Sequence, residues 1–108
     1  MPKDQKKYLF DILDSIELIE SYLEELNSWE ELQGDQEKAD AVQRRMGIIG
    51  EALYRLRKLE IDLPQSDWAI NLRNTLVHQY DQIGMDTLWY RVKQDLPTLK
   101  EEVSRLLR

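Results

Sequence analysis

The sequence predicts an all-α protein, an up-and-down bundle of four main helices. Three observations carry this. Apolar residues recur at alternating steps of three and four over most of the chain, which places them on one stripe of a helix. No stretch alternates apolar and polar residues as a half-buried strand would. The punctuation, Gly34-Asp35, Asp62-Leu63-Pro64 and Asp81-Gln82-Ile83-Gly84, falls between the periodic stretches. With 108 residues and an ordinary apolar content of 42%, the chain suits one domain over residues 1–108 with one core.

The first helix is expected to bury Leu9, Ile12, Ile16, Ile19, Leu23 and Leu26. Ser28 with Glu31 three residues later matches a capping box for a short turn over Trp29 to Leu32. A second long helix carries Val42, Met46, Ile49, Leu53 and Leu56. Gly50 lies inside it at a cost of about 1 kcal/mol relative to alanine, so a close helix crossing is the expected reason for it. A third helix runs from about Trp68 to Val77, capped by Ser66 or Asp67, with Trp68, Leu72 and Leu76 buried. Asp86 is expected to cap a last helix carrying Leu88, Val92, Leu96, Leu99, Val103 and Leu106. Pro97 should kink that helix, because proline removes a helical donor and clashes with the preceding turn.

Composition bounds the function. There is no cysteine and one histidine, so neither a disulfide scaffold nor a thiolate zinc site is expected, and no cofactor or metal. No apolar run approaches the ~18 residues that span a membrane, and no apolar signal core follows Met1, so the expectation is a cytoplasmic protein. The net charge of −6, taken alone, disfavours a nucleic-acid partner. Its distribution answers that in part: the acidic excess crowds into residues 11–40, whereas Arg44, Arg45, Arg55, Arg57 and Lys58 cluster on the second long helix. Arg44, Arg45 and Arg55 are therefore candidates for an RNA-facing patch, against the blander reading of a solvated face.

The stretch Arg73-Asn74-Thr75-Leu76-Val77-His78-Gln79-Tyr80 carries the chemistry. Arginine offers a planar, permanently charged fork of donors that suits phosphate oxygens. Histidine exchanges a proton near neutral pH. Together they supply the minimum for cleaving RNA without a metal: one group moves the proton of a ribose 2′-hydroxyl, the other holds the phosphate as charge builds on it. On an ideal helix Arg73 and His78 stand about 140° apart, whereas Asn74 and His78 share a face. Either the helix ends before His78, or a second copy of the chain brings its motif against the first.

The spacing from Arg73 to His78 to Tyr80 resembles the R-x4-H-x-Y motif of the HepT-like branch of the HEPN superfamily. Ile48-Ile49-Gly50-Glu51-Ala52 is similar to the family's I-G-E-A helix, Trp68 falls a few residues before the arginine as it does there, and Asp95-Leu96-Pro97 resembles a late D-L-P. These blocks span roughly Val42 to Leu99.

The resemblance implies a small helical toxin encoded beside a minimal nucleotidyltransferase antitoxin, forming a two-fold homodimer with both motifs in one cleft. It implies a metal-independent endoribonuclease acting on tRNA or mRNA and leaving a 2′,3′-cyclic phosphate. Arg73 would bind the scissile phosphate, His78 would act as base or acid, and Asn74 would orient His78 or the phosphate. Tyr80 would accept AMP from the antitoxin, which silences the toxin. The competing reading is a non-catalytic subunit that presents substrate to the nucleotidyltransferase, and a third is a plain helical interaction module. In the bland reading Arg73 pairs with Asp67, Asp81 or a glutamate of another helix, Glu51 pairs with Arg55, and Trp68 is core.

Overall fold

The structure, a computed structural model, describes residues 2–78 and 84–108, with the side chains of 77 and 78 left aside. Six helices occur among the described residues, and no strand. They are α1 (Lys3–Leu23), α2 (Trp29–Gln33), α3 (Gln36–Lys58), α4 (Ser66–His78), α5 (Met85–Gln94) and α6 (Leu96–Leu107). The four expected helices are α1, α3, α4 and the α5–α6 pair, with α2 as the short turn that precedes α3.

Helix α3 is the spine. It packs against α1 and against α4, while α6 lies on α1 and α2 on α5. Leu9, Ile12, Ile16 and Ile19 of α1 and Val42, Ile49, Leu53 and Leu56 of α3 are fully out of solvent. Each such side chain contributes about 1.5–3 kcal/mol relative to exposure. Leu88, Leu96, Leu99 and Val103 close the core from α5 and α6. Leu26 and Leu106, expected inside, are only partly buried, because each lies near the end of its apolar stripe.

The local signals act as expected at α2 and α3. Ser28 accepts from the Glu31 N–H at 3.3 Å, while the Glu31 carboxylate accepts from the Asn27 N–H at 2.6 Å, one residue ahead of the usual capping-box partner. Asp35 then caps α3, its carboxylate accepting from the Lys38 N–H at 3.1 Å.

Elsewhere tertiary structure changes the expectation. Helix α4 begins at Ser66, so neither Ser66 nor Asp67 is its cap. The Ser66 hydroxyl instead accepts from the Leu63 N–H at 3.3 Å, and Asp67 turns to Arg57 at 2.7 Å. Trp68, Leu72 and Leu76 are half-buried, and it is Ala69 that is fully packed. Arg91 lies 5.1 Å over the Trp68 ring, covering with a cation what was expected to be covered by core. The last helix does more than kink. It divides at Asp95, and Pro97 occupies the first turn of α6, where its missing N–H leaves no helical bond unmade. Gly84 precedes α5 at the cap position, and Asp86 lies within its first turn.

Candidate functional site

The site is built where α4 crosses α3. The crossing is close because Gly50 has no side chain: a Cβ there would stand 2.5 Å from the Ala69 carbonyl oxygen and 2.5 Å from the Arg73 Cβ. Arg73 is thus seated directly on the backbone of α3, one residue from Glu51.

Its guanidinium is held from two sides. Nη1 donates to the Asn74 side-chain oxygen at 2.9 Å. Nη2 stands 2.9 Å from Glu51 Oε2, an ion pair lying off the line of a hydrogen bond. The other carboxylate oxygen of Glu51 accepts from Arg55 Nε at 3.0 Å. Both bland expectations for Glu51 and Arg73 therefore hold at once, since one carboxylate joins Arg55 on its own helix to Arg73 on the next. The Arg73 side chain is 35% exposed, so its fork remains open to a ligand. Five N–H donors, one of them hydrogen-bonded to Asn74, leave capacity for phosphate oxygens.

A groove of about 480 Å³ opens beside this pair. It is lined from α3 by Asp40, Gln43, Arg44, Gly47, Ile48 and Glu51, and from α4 by Arg73 and Leu76. The α3 residues recur at steps of three and four, the face of one helix turned away from the core.

The candidates from sequence are placed as follows. Arg73 and Asn74 are joined, and Arg44 lines the same groove. Arg55 touches it through Glu51. Arg45 lines a separate depression with Asp14, Glu17 and Leu18 of α1. The backbone of α4 stays helical through His78, which removes the arrangement in which the helix ends before that residue. The His78 side chain and Tyr80 lie outside the described residues. Gln43 and Gly47 were not singled out from sequence, although their spacing to Glu51, at steps of four, places all three on one face.

Among the described residues no three His, Cys, Asp or Glu side chains gather as metal ligands, and no helix is long and apolar enough to cross a membrane.

The profile described as "Ribonuclease HepT-like" matches residues 12–106. The chain belongs to the HepT-like ribonuclease family. A "Probable ribonuclease HepT" of Thermococcus cleftensis is 34% identical over 98% of this chain and 98% of its own length. A "Gamma-glutamylcyclotransferase and putative RNase" of Methanocaldococcus jannaschii is 37% identical over 99% of this chain, which spans only 49% of that longer protein. No solved structure matches the chain. The all-α architecture agrees with the HEPN fold expected for HepT-like proteins.

Proposed function

We propose that this HepT-like chain is a metal-independent endoribonuclease toxin acting on tRNA or mRNA through Arg73 and His78. The observation that carries the reading is Arg73, held by Glu51 and Asn74 on the open wall of the α3–α4 groove, on the helix that also carries His78.

Arg73 binds the scissile phosphate and meets the negative charge that grows on it in the transition state. His78 takes the proton of the ribose 2′-hydroxyl as that oxygen attacks the adjacent phosphorus. The bond from phosphorus to the 5′-oxygen breaks, and the departing oxygen receives a proton. The products are a 2′,3′-cyclic phosphate and a 5′-hydroxyl. Asn74 acts as a positioning residue, because its amide is already committed to the Arg73 fork. One straight helix keeps Arg73 and His78 about 140° apart, so a two-fold dimer supplies the two halves of a site from different copies.

Regulation in this reading is covalent. A minimal nucleotidyltransferase antitoxin transfers AMP to Tyr80, two residues from His78, and the added phosphate charge repels RNA.

The experiment is cleavage of tRNA and a structured mRNA by unmodified protein in EDTA, with His78→Ala beside the wild type. Mass spectrometry first establishes that Tyr80 carries no AMP. Cleavage by the wild type alone supports the reading. No cleavage by either points instead to the non-catalytic subunit. Absence of an adduct on Tyr80 after incubation with the antitoxin and ATP removes the regulatory part.

A further inference from the structure

Two glycines lie three residues apart on α3, and the chain's own packing accounts for one of them. Gly50 is needed because α4 lies against it. At Gly47 a Cβ would meet nothing within 4 Å. Glycine inside a helix is destabilising relative to alanine, since it loses more backbone freedom on folding. No neighbour among the described residues requires that cost at Gly47. What Gly47 supplies is a stretch of bare helix backbone that another surface can approach closely.

The charges on either side of Gly47 select that surface. Asp40, Arg44, Gly47, Ile48 and Glu51 share one face of α3, and Arg55 continues it one turn beyond Glu51. None of them is buried. Counted outward from the midpoint between Gly47 and Ile48, equal steps reach Arg44 and Glu51 first, then Asp40 and Arg55. The charge is opposite each time. Two anions and two cations cancel along the helix, which gives the face no preference for a polyanion such as RNA. The same order makes it complementary to itself. A two-fold axis through the midpoint lays α3 antiparallel on its own copy, each residue facing the one an equal distance beyond the axis. Arg44 then meets the second copy's Glu51, and Asp40 meets the second copy's Arg55, over about 22 Å of helix. Each Gly47 receives the Ile48 of the other chain. A parallel pairing would instead set Asp40 on Asp40 and Arg44 on Arg44, and like charges repel.

We infer that the Asp40-to-Arg55 face of α3 is the docking surface for a second copy of this chain, antiparallel and centred on Gly47 and Ile48. The inference deepens the ribonuclease reading, which calls for two copies to complete a site, by naming the surface and register that join them. The second copy adds a residue to that site, since its Arg44 reaches Glu51, the carboxylate that also faces Arg73. The carboxylates have room for these partners. Within one chain Asp40 accepts from Gln36 at 2.8 Å and Glu51 from Arg55 at 3.0 Å, and an ionised carboxylate offers about four acceptor positions. In the separated chain a larger residue at 47 meets nothing, so its penalty falls on association alone.

The test is analytical ultracentrifugation of the unmodified full chain over a range of concentrations, with melting curves for every variant. The set is wild type, Gly47→Trp, Asp40→Lys, Arg55→Glu and the double variant Asp40→Lys/Arg55→Glu. The wild type is expected to dimerise reversibly. Each single charge reversal sets like charges together twice across the axis and should weaken the dimer about tenfold or more. The double variant restores opposite charges with the signs exchanged, and its dimer should return towards wild-type strength. Gly47→Trp, still melting cooperatively, should weaken association by about tenfold or more through overpacking at the axis. Wild-type association in Gly47→Trp overturns the proposal, as does a double variant no stronger than the singles. A wild type that stays monomeric also overturns it, and a 2′-O-methyl hexanucleotide that binds wild type but not Gly47→Trp would then assign the face to RNA. Should Gly47→Trp fail to fold, the charge set decides alone. None of these measurements needs cleavage, so a dimer of this register stands even where the wild type fails to cut tRNA, an outcome that would instead sink the ribonuclease reading.

Discussion

Gly50 and Arg73 are in contact, with only 2.5 Å between the Arg73 Cβ and the place a Cβ at residue 50 would occupy. Arg73, the proposed phosphate contact, is thereby seated by a glycine on another helix. The placement of the guanidinium follows from backbone approach first and from its ion pair second.

Substituting Gly50→Ala tests that order. The new methyl would press on the Ala69 carbonyl and on Arg73, both attached to helix backbone that cannot yield cheaply. Overpacking of this kind costs about 1–3 kcal/mol, against which the helical gain from glycine to alanine is about 1 kcal/mol. A net loss in urea unfolding is expected, with cleavage falling further than the unfolded fraction explains. Unchanged stability would show that α4 can slide on α3.

The opposite sign is expected at Gly47→Ala. Nothing stands within 4 Å of the added methyl, so the helical preference acts alone. Stability should rise by up to about 1 kcal/mol in the same urea experiment.

Glu51→Gln separates orientation from folding. The Glu51 and Arg73 side chains are 36% and 35% exposed, so the pair is screened and its loss should change stability by less than about 1 kcal/mol. The amide cannot hold two cations, and Arg73 loses its tether. The expected result is a kcat about tenfold lower with little change in melting temperature, the scale of a displaced catalytic group. Glu51→Asp, with the charge kept on a shorter arm, should recover part of it. Equal kcat in Glu51→Gln and wild type would remove Glu51 from the site.

Lys100 gives a pH dependence with a definite sign. Its ammonium donates to Glu20 at 2.9 Å, tying α6 to α1, and this hydrogen bond raises its pKa above the ordinary lysine value. A raised folded-state pKa means the stabilisation is complete below the unfolded lysine pKa and is lost as pH climbs through the folded one. The melting temperature of the wild type should therefore fall more steeply through the alkaline range than that of Lys100→Met. Parallel curves would show the bond to be without thermodynamic weight.

Much of this molecule is written locally. The stripes of α1 and α3, the Ser28 cap, the break at Gly34 and the close approach at Gly50 follow from period, capping chemistry and the cost of a helical glycine, which act over a few residues of sequence. The R-x4-H-x-Y spacing and its companion blocks are local too, and they carry the resemblance to HepT-like proteins without reference to any tertiary contact. What tertiary structure alone decided is which face of α4 meets α3. That choice buries Ala69 and leaves Trp68, Leu72 and Leu76 half-covered, because three apolar residues on a stripe do not say how deep the stripe sits. It likewise selects Glu51 for Arg73 over Asp67, which Arg57 holds instead, since an ion pair between helices depends on which charges the packed core brings within reach.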